Sequence, residues 1–214
     1  MMMNGEFAIE MCANKPDLDN IRAQLPGSNI DENTFLATDY LNHLNEAVMM
    51  LEMVPDMPDL FEEVQAWQPK TYQQHFLDSS FQAKDLAVSA YEAAPQEFRQ
   101  PFDKAIELAD KGITDSKDAI EQALAAGDQV SIAALVPDAS THIRHLIDIA
   151  SAVIHGNPNV LPADKVMEIE MDWQATLSGN MMAGGMAVAE EEEEIEEMID
   201  AEAMGQDDID ALFD

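Results

Sequence analysis

The stretch between Pro95 and Gly127 constrains the fold more than any other part of the chain. Phe98, Phe102, Ile106, Leu108, Ile113, Ile120 and Leu124 recur at helical spacing, which predicts one long helical segment over Phe98–Ala126. Gly112 is a candidate point of division and Gly127 a candidate C-cap. A single helix of that length cannot bury its own apolar stripe, so the chain must supply further helices to cover it. It does. Leu41, Leu44, Val48 and Leu51 stand at 3-4-3 spacing up to Pro55. Asp56-Met57-Pro58 reads as an N-cap with a first-turn proline, opening a short helix through Trp67. Tyr72, His75 and Phe76 predict another short helix, and Gln82–Ala94 a fourth by propensity. Asp138 or Ser140 is expected to cap a helix running to Ile154, and a last one covers about Ala163–Leu177. Strand signals are almost absent, and the one Asn-Gly pair, Asn4-Gly5, is not flanked by alternating β-branched runs. The expected fold is all-α, a bundle of four to six helices.

Charge sets the remaining limits. The 214 residues carry 43 Asp and Glu against 10 Lys and Arg, a formal net charge of −33. Phosphate backbones are gripped by clustered Lys and Arg, so direct nucleic-acid binding is excluded. Adsorption to an anionic membrane is disfavoured for the same reason, and no apolar run is long enough to insert into one. A basic surface on a protein partner is the natural counterpart. The residues before Cys12 lack the basic and apolar regions of a signal peptide, and Cys12 has no second cysteine to pair with. These features predict a cytoplasmic protein. The domain reading is an irregular leader over 1–32, a helical domain over 33–178, a flexible linker over 179–189 and an acidic tail over 190–214. That tail holds 13 acidic and no basic side chains, and the last basic residue of the chain is Lys165.

The final ten residues read as a short amphipathic helix that needs a groove. Ile209, Leu212 and Phe213 stand at i, i+3 and i+4 and share one face. Asp207 and Asp208 fall in the first turn, where the helix dipole favours acids, while Asp210 and Asp214 lie away from the apolar stripe. Nothing so short buries Phe213 alone, so the pattern is that of helix-in-groove recognition with folding on binding. The peptide GQDDIDALFD resembles the segment by which chemotaxis and flagellar proteins bind the phosphorylated response regulator CheY. It is similar to the C-terminus of the CheZ phosphatases and to the N-terminal segment of the flagellar switch protein FliM. Gln206, Asp207, Asp208, Ile209, Asp210, Leu212 and Phe213 fill the shared pattern, with Gly205 where serine is usual. The resemblance implies a CheY-like receiver as partner.

CheZ-like function implies hydrolysis of an aspartyl phosphate on that receiver. The receiver would supply its own Mg2+, so no cofactor is expected on this chain. A phosphatase need add only an amide that positions water and an acid that engages the receiver's cation. In CheZ an Asp and a Gln four residues apart on one helix do this; in the CheC/CheX type a Glu-x-x-Asn does. Asp118 and Gln122 have the first spacing, and Asp39 and Asn42 the second acid-x-x-amide spacing. With 43 acids and 22 Asn and Gln in the chain, chance gives roughly four such pairs at each spacing. The pairs are therefore candidates, and enzyme status stays open beside a non-catalytic adaptor that uses the tail as a docking arm. His142 and His145 are i, i+3 neighbours with no third ligand at matching spacing, so no metal site is expected. Met49, Met50, Met53 and Met57 read as core or as a plastic interface, and Trp67 and Trp173 as core anchors. The long helices allow a homodimer, although no clean heptad run requires it.

Overall fold

The computed structural model describes residues 18–180, and every described element is helical. The elements are α1 (Leu18–Gln24), α2 (Leu41–Met53), α3 (Phe61–Ala66), α4 (Tyr72–Asp78), α5 (Lys84–Ala93), α6 (Gln96–Ala126), α7 (Gln129–Ile154) and α8 (163–180). Short 3-10 turns at Thr38–Tyr40, Pro58–Leu60 and Pro158–Val160 precede α2, α3 and α8. The fold is all-α, with eight α-helices among the described residues against the four to six expected. Seven of them, α2 to α8, fall on segments the sequence predicted one by one, and α1 is the addition.

α6 and α7 form the spine. They are joined by Gly127 and Asp128, so they must run antiparallel. Gly127 takes φ 71°, and the amides of Gly127 and Asp128 donate back to the Leu124 and Ala123 carbonyls at 3.1 and 2.9 Å. A residue with a Cβ would be strained there. Asp128 then caps α7, its carboxylate accepting from the Ser131 amide at 2.9 Å. The remaining helices lie along this hairpin: α2 packs on α7 and α6, α4 pairs with α5, and α1 rests on α5.

Three expectations change, two of them in the spine. α7 starts at Gln129 and continues through Pro137, where a start at Asp138 or Ser140 was expected. The proline leaves the carbonyl four residues back, at Ala133, without its helical donor; Ala133 is exposed, so water can satisfy it. Ile132, Leu135 and Val136 before the proline and Ala139 and Ile143 after it are all buried. Continuity of that apolar face outweighs the lost bond. Likewise Gly112 does not divide α6. It is buried in mid-helix, where a Cβ would stand 3.1 Å from His142 Cδ2 on α7. The glycine is there for close approach of two helices.

The third change is at the N-terminal side. Residues 1–32 were expected to be irregular, yet α1 lies within them and Ile21, Leu25 and Ile30 join the core. The chain then enters the bundle by a tight turn. Phe35 has φ 63°, a left-handed conformation that costs a bulky residue, and its ring is 1% exposed. Reciprocal bonds between Asp31 and residues 35 and 36 hold the turn at 2.9 Å each. Beside it, buried Thr34 donates its hydroxyl to the Ile154 carbonyl at 2.8 Å, closing the C-terminal end of α7.

Candidate functional site

Two polar centres lie along α6, and of the residues in the sequence-predicted pairs only Asp39 stands close to one of them, beside Tyr40 and Tyr72. The first centre is built where α4 crosses α6. Tyr40, Tyr72, Tyr91 and Phe102 pack ring to ring, with Tyr72 and Tyr91 stacked at 4.5 Å. α4 is held for this by a capping box between Thr71 and Gln74. The tyrosine hydroxyls are committed. Tyr40 donates to the Lys70 carbonyl at 2.6 Å, Tyr72 accepts from the Ala37 amide at 2.9 Å, and Tyr91 donates to Asp103 at 2.7 Å. Arg99 lies 4.4 Å from the centre of the Tyr91 ring and pairs with Asp103.

The rings border an open cleft of about 370 Å³, which Asp103, Glu107 and Asp110 line from α6. Asp110 is the unusual member. Its Oδ1 is buried with no hydrogen-bond partner, and burial pushes its carboxyl up to about 7. A carboxyl in that range exchanges its proton near neutral pH, a property common at proton-transfer sites. Burial also raises Asp103 and raises the hydroxyls of Tyr40 and Tyr72. Sequence reading missed this centre. Its only trace was the 103, 107, 110 spacing of acids along one edge of a long helix, which an acidic composition hides.

The second centre joins α6, α7 and α8. His142 stacks on Trp173 at 4.5 Å with an 11° interplanar angle. Asp115 Oδ2 accepts from Trp173 Nε1 at 3.0 Å, from Gln174 Nε2 at 3.5 Å and from Lys111 Nζ. Burial holds His142 down at about 4, so the ring is neutral at physiological pH. Trp173 is 3% exposed and Trp67 is 7% exposed, so both are the core anchors that were expected.

The predicted catalytic residues stand on separate elements. Asp118 and Gln122 are exposed and one turn apart on α6. Their sequence neighbours are occupied: Lys117 Nζ donates to the Gln65 and Trp67 carbonyls at 3.0 and 2.9 Å, and Glu121 accepts from Gln65. Lys117 thereby caps the C-terminus of α3. Asp39 is half-buried in the turn before α2, its backbone carbonyl toward His75, whereas Asn42 is exposed in the first turn of α2. Among the described residues no hydrogen bond links one pair to the other. His43 is buried, stacked on Trp67 at 4.7 Å, with Nε2 3.0 Å from the Gln68 carbonyl. His145 is exposed, and no group of three or more His, Cys, Asp or Glu among the described residues is placed to hold a metal ion. No described helix is long and apolar enough to cross a membrane. Cys12 and the tail residues Gln206, Asp207, Asp208, Ile209, Asp210, Leu212 and Phe213 lie outside the described residues. Comparison with protein-family models, with curated proteins and with solved structures gives no match.

Proposed function

We propose that this chain is a cytoplasmic regulator of chemotaxis or flagellar switching that binds a phosphorylated CheY-like receiver through Gln206–Phe213. The observation that carries the reading is the terminal pattern itself: three apolar anchors on one helical face, ringed by Asp207, Asp208 and Asp210. The body supports a second step, acceleration of receiver dephosphorylation. Asp118 and Gln122 present an acid and an amide on one exposed face of a 31-residue helix, so a docked receiver can reach both. Asp39 and Asn42 are the weaker pair, because Asp39 is half-buried. The receiver's own Mg2+ would neutralise the phosphoryl group, and this chain would contribute positioning. A non-catalytic adaptor is the alternative, favoured by exposed methionines on α2 that give the body a surface for another component.

The test is a titration of the intact chain, and of a chain lacking residues 205–214, against a receiver activated with a phosphate analogue. Loss of the ten residues is expected to weaken binding at least about tenfold. Equal binding by both chains sinks the reading. Phosphate release followed in parallel separates phosphatase from adaptor, with Gln122→Ala expected to slow any acceleration by about tenfold or more and Asn42→Ala to leave it nearly unchanged.

A further inference from the structure

Methionines make up five of the eight exposed large hydrophobic side chains of the described residues, and three of them form one stripe. Met49 and Met53 stand one turn apart on α2, at 60% and 38% exposed. Met57 follows, 48% exposed, and its amide donates to the Met53 carbonyl at 2.9 Å, which carries the line one turn past the helix end. Their neighbour Met50 packs on the core instead. Unbranched, polarisable side chains in a row make a surface that adapts to an apolar partner.

Two further features say what that partner is. The stripe is edged by exposed Glu46, Glu52, Asp56 and Asp59. From residue 23 to residue 69 the chain has nine Asp and Glu and no Lys or Arg, and of the four acids at the stripe only Glu52 has an ion pair, with Arg144 of α7. Beside the stripe, between α2 and α7, an open cleft of about 380 Å³ is lined by Glu52, Pro55, Val136, Pro137, Ser140 and Arg144. Glu52 there receives Arg144 through both carboxylate oxygens at 2.9 Å, so a guanidinium already seats in it. Ser140, which lines the same cleft, is 5% exposed, and its hydroxyl oxygen is buried with no hydrogen-bond partner, a polar group the fold leaves unpaired.

We propose that the α2 methionine stripe and the adjoining cleft receive a basic amphipathic helix of a partner protein. The apolar side of that helix covers Met49, Met53 and Met57, its Lys or Arg side chains meet Glu46, Asp56 and Asp59, and one of them enters the cleft, where it takes the place of Arg144 on Glu52 beside Ser140. Charge complementarity selects this occupant over an acidic one, because a chain of net charge −33 repels its own tail and its own copies from an acidic face. The inference does not depend on receiver binding, which uses residues 206–213.

The full-length protein tests it with an 18-residue synthetic peptide of leucine and lysine at helical spacing, and a counterpart with glutamate in place of lysine. Affinity is read by fluorescence anisotropy, and contact by peroxide oxidation of each methionine followed by mass spectrometry. The lysine peptide is expected to bind and to slow oxidation of Met49, Met53 and Met57, leaving Met167 and Met171 of α8 as internal controls. The glutamate peptide is expected to do neither. The Met49→Gln/Met53→Gln/Met57→Gln variant, altered only at exposed positions, is expected to lose about tenfold or more in affinity, and Glu52→Gln to reduce the salt dependence. Unchanged affinity in the triple variant overturns the proposal, as does protection of α8 in place of α2. Protection present before any peptide is added also overturns it: if abolished by deleting 205–214 the occupant is the chain's own terminus, and if it grows with protein concentration the occupant is a second copy.

Discussion

Asp110 and Asp115 lie five residues apart on α6, and the contrast between them explains much of how this bundle is held. Asp115 accepts three donors, from Trp173, Gln174 and Lys111, and through the first two it fixes α8 to the spine. Asp110 faces the tyrosines, and one of its oxygens is buried with no donor at all. One side chain repays its desolvation through hydrogen bonds, and the other limits it by holding its proton to about pH 7. The lesson is that the α6–α8 seam is stabilised by a polar contact, whereas the α4–α6 seam holds by aromatic packing in spite of one.

The largest effect should come from removing the group that makes Asp115 well satisfied. Trp173→Ala deletes a buried indole, its stack on His142 and its N–H donor, and is expected to cost about 3–5 kcal/mol in chemical denaturation. A loss under about 1 kcal/mol would show that α8 contributes little to the folded body. Asp110→Asn should act in the opposite direction. The folded carboxyl is raised to about 7 from 3.8, so the unfolded chain releases its proton first and native stability falls as pH rises from about 4 to 7. Asparagine removes that penalty, with a gain of up to about 3 kcal/mol at pH 8 that shrinks toward zero near pH 4. Equal stability of the two proteins across that window would show that Asp110 is solvated.

His142 gives the mirror-image dependence. Its folded value is lowered from 6.5 to about 4, so the unfolded chain takes up the proton first, and stability is lost as pH falls through that window. Allowing for its partly exposed edge, the loss is about 1–2 kcal/mol. His142→Phe, which keeps a ring on Trp173, should flatten the acid limb of the stability curve. The smallest effect belongs to Gly112→Ala. Alanine is the better helix former by about 1 kcal/mol, but its Cβ would press on His142 at 3.1 Å, and that ring is pinned against Trp173. The two terms nearly cancel, leaving a net loss below about 1 kcal/mol, and thermal melting of Gly112→Ala in the His142→Ala background should turn the loss into a gain.

The contrast also marks what the amino-acid pattern could and could not reveal. Helical class was legible because the apolar residues of α2, α6 and α7 repeat at one period over many turns, and the anchoring tryptophans stand out in a chain with only two. Breakers were misleading. Pro137 and Gly112 carry strong local signals for an interruption, yet the apolar face of α7 and the approach of His142 decide their settings from outside the helix. α1 went unseen because its single buried residue within the helix, Ile21, makes no periodic pattern. The candidate pairs were legible only as spacing. Asp118 and Gln122 do share an exposed face, but that is true of any i, i+4 pair on the solvent side of a helix. Asp110 was invisible for the converse reason: among 43 acids, nothing local distinguishes the one that tertiary packing leaves without a partner.

The bond from Thr34 to the Ile154 carbonyl spans 120 positions of sequence, and this separation bears on how the molecule is made. A ribosome releases Thr34 and its buried neighbours Phe35 and Leu36 long before the end of α7 exists to receive the Thr34 hydroxyl. The Thr34 turn therefore reaches its final place only after the α6–α7 hairpin, whose contacts are local and quick to form. Until then Phe35 and Leu36 wait in the open, in a stretch that nascent-chain chaperones would be well placed to shelter.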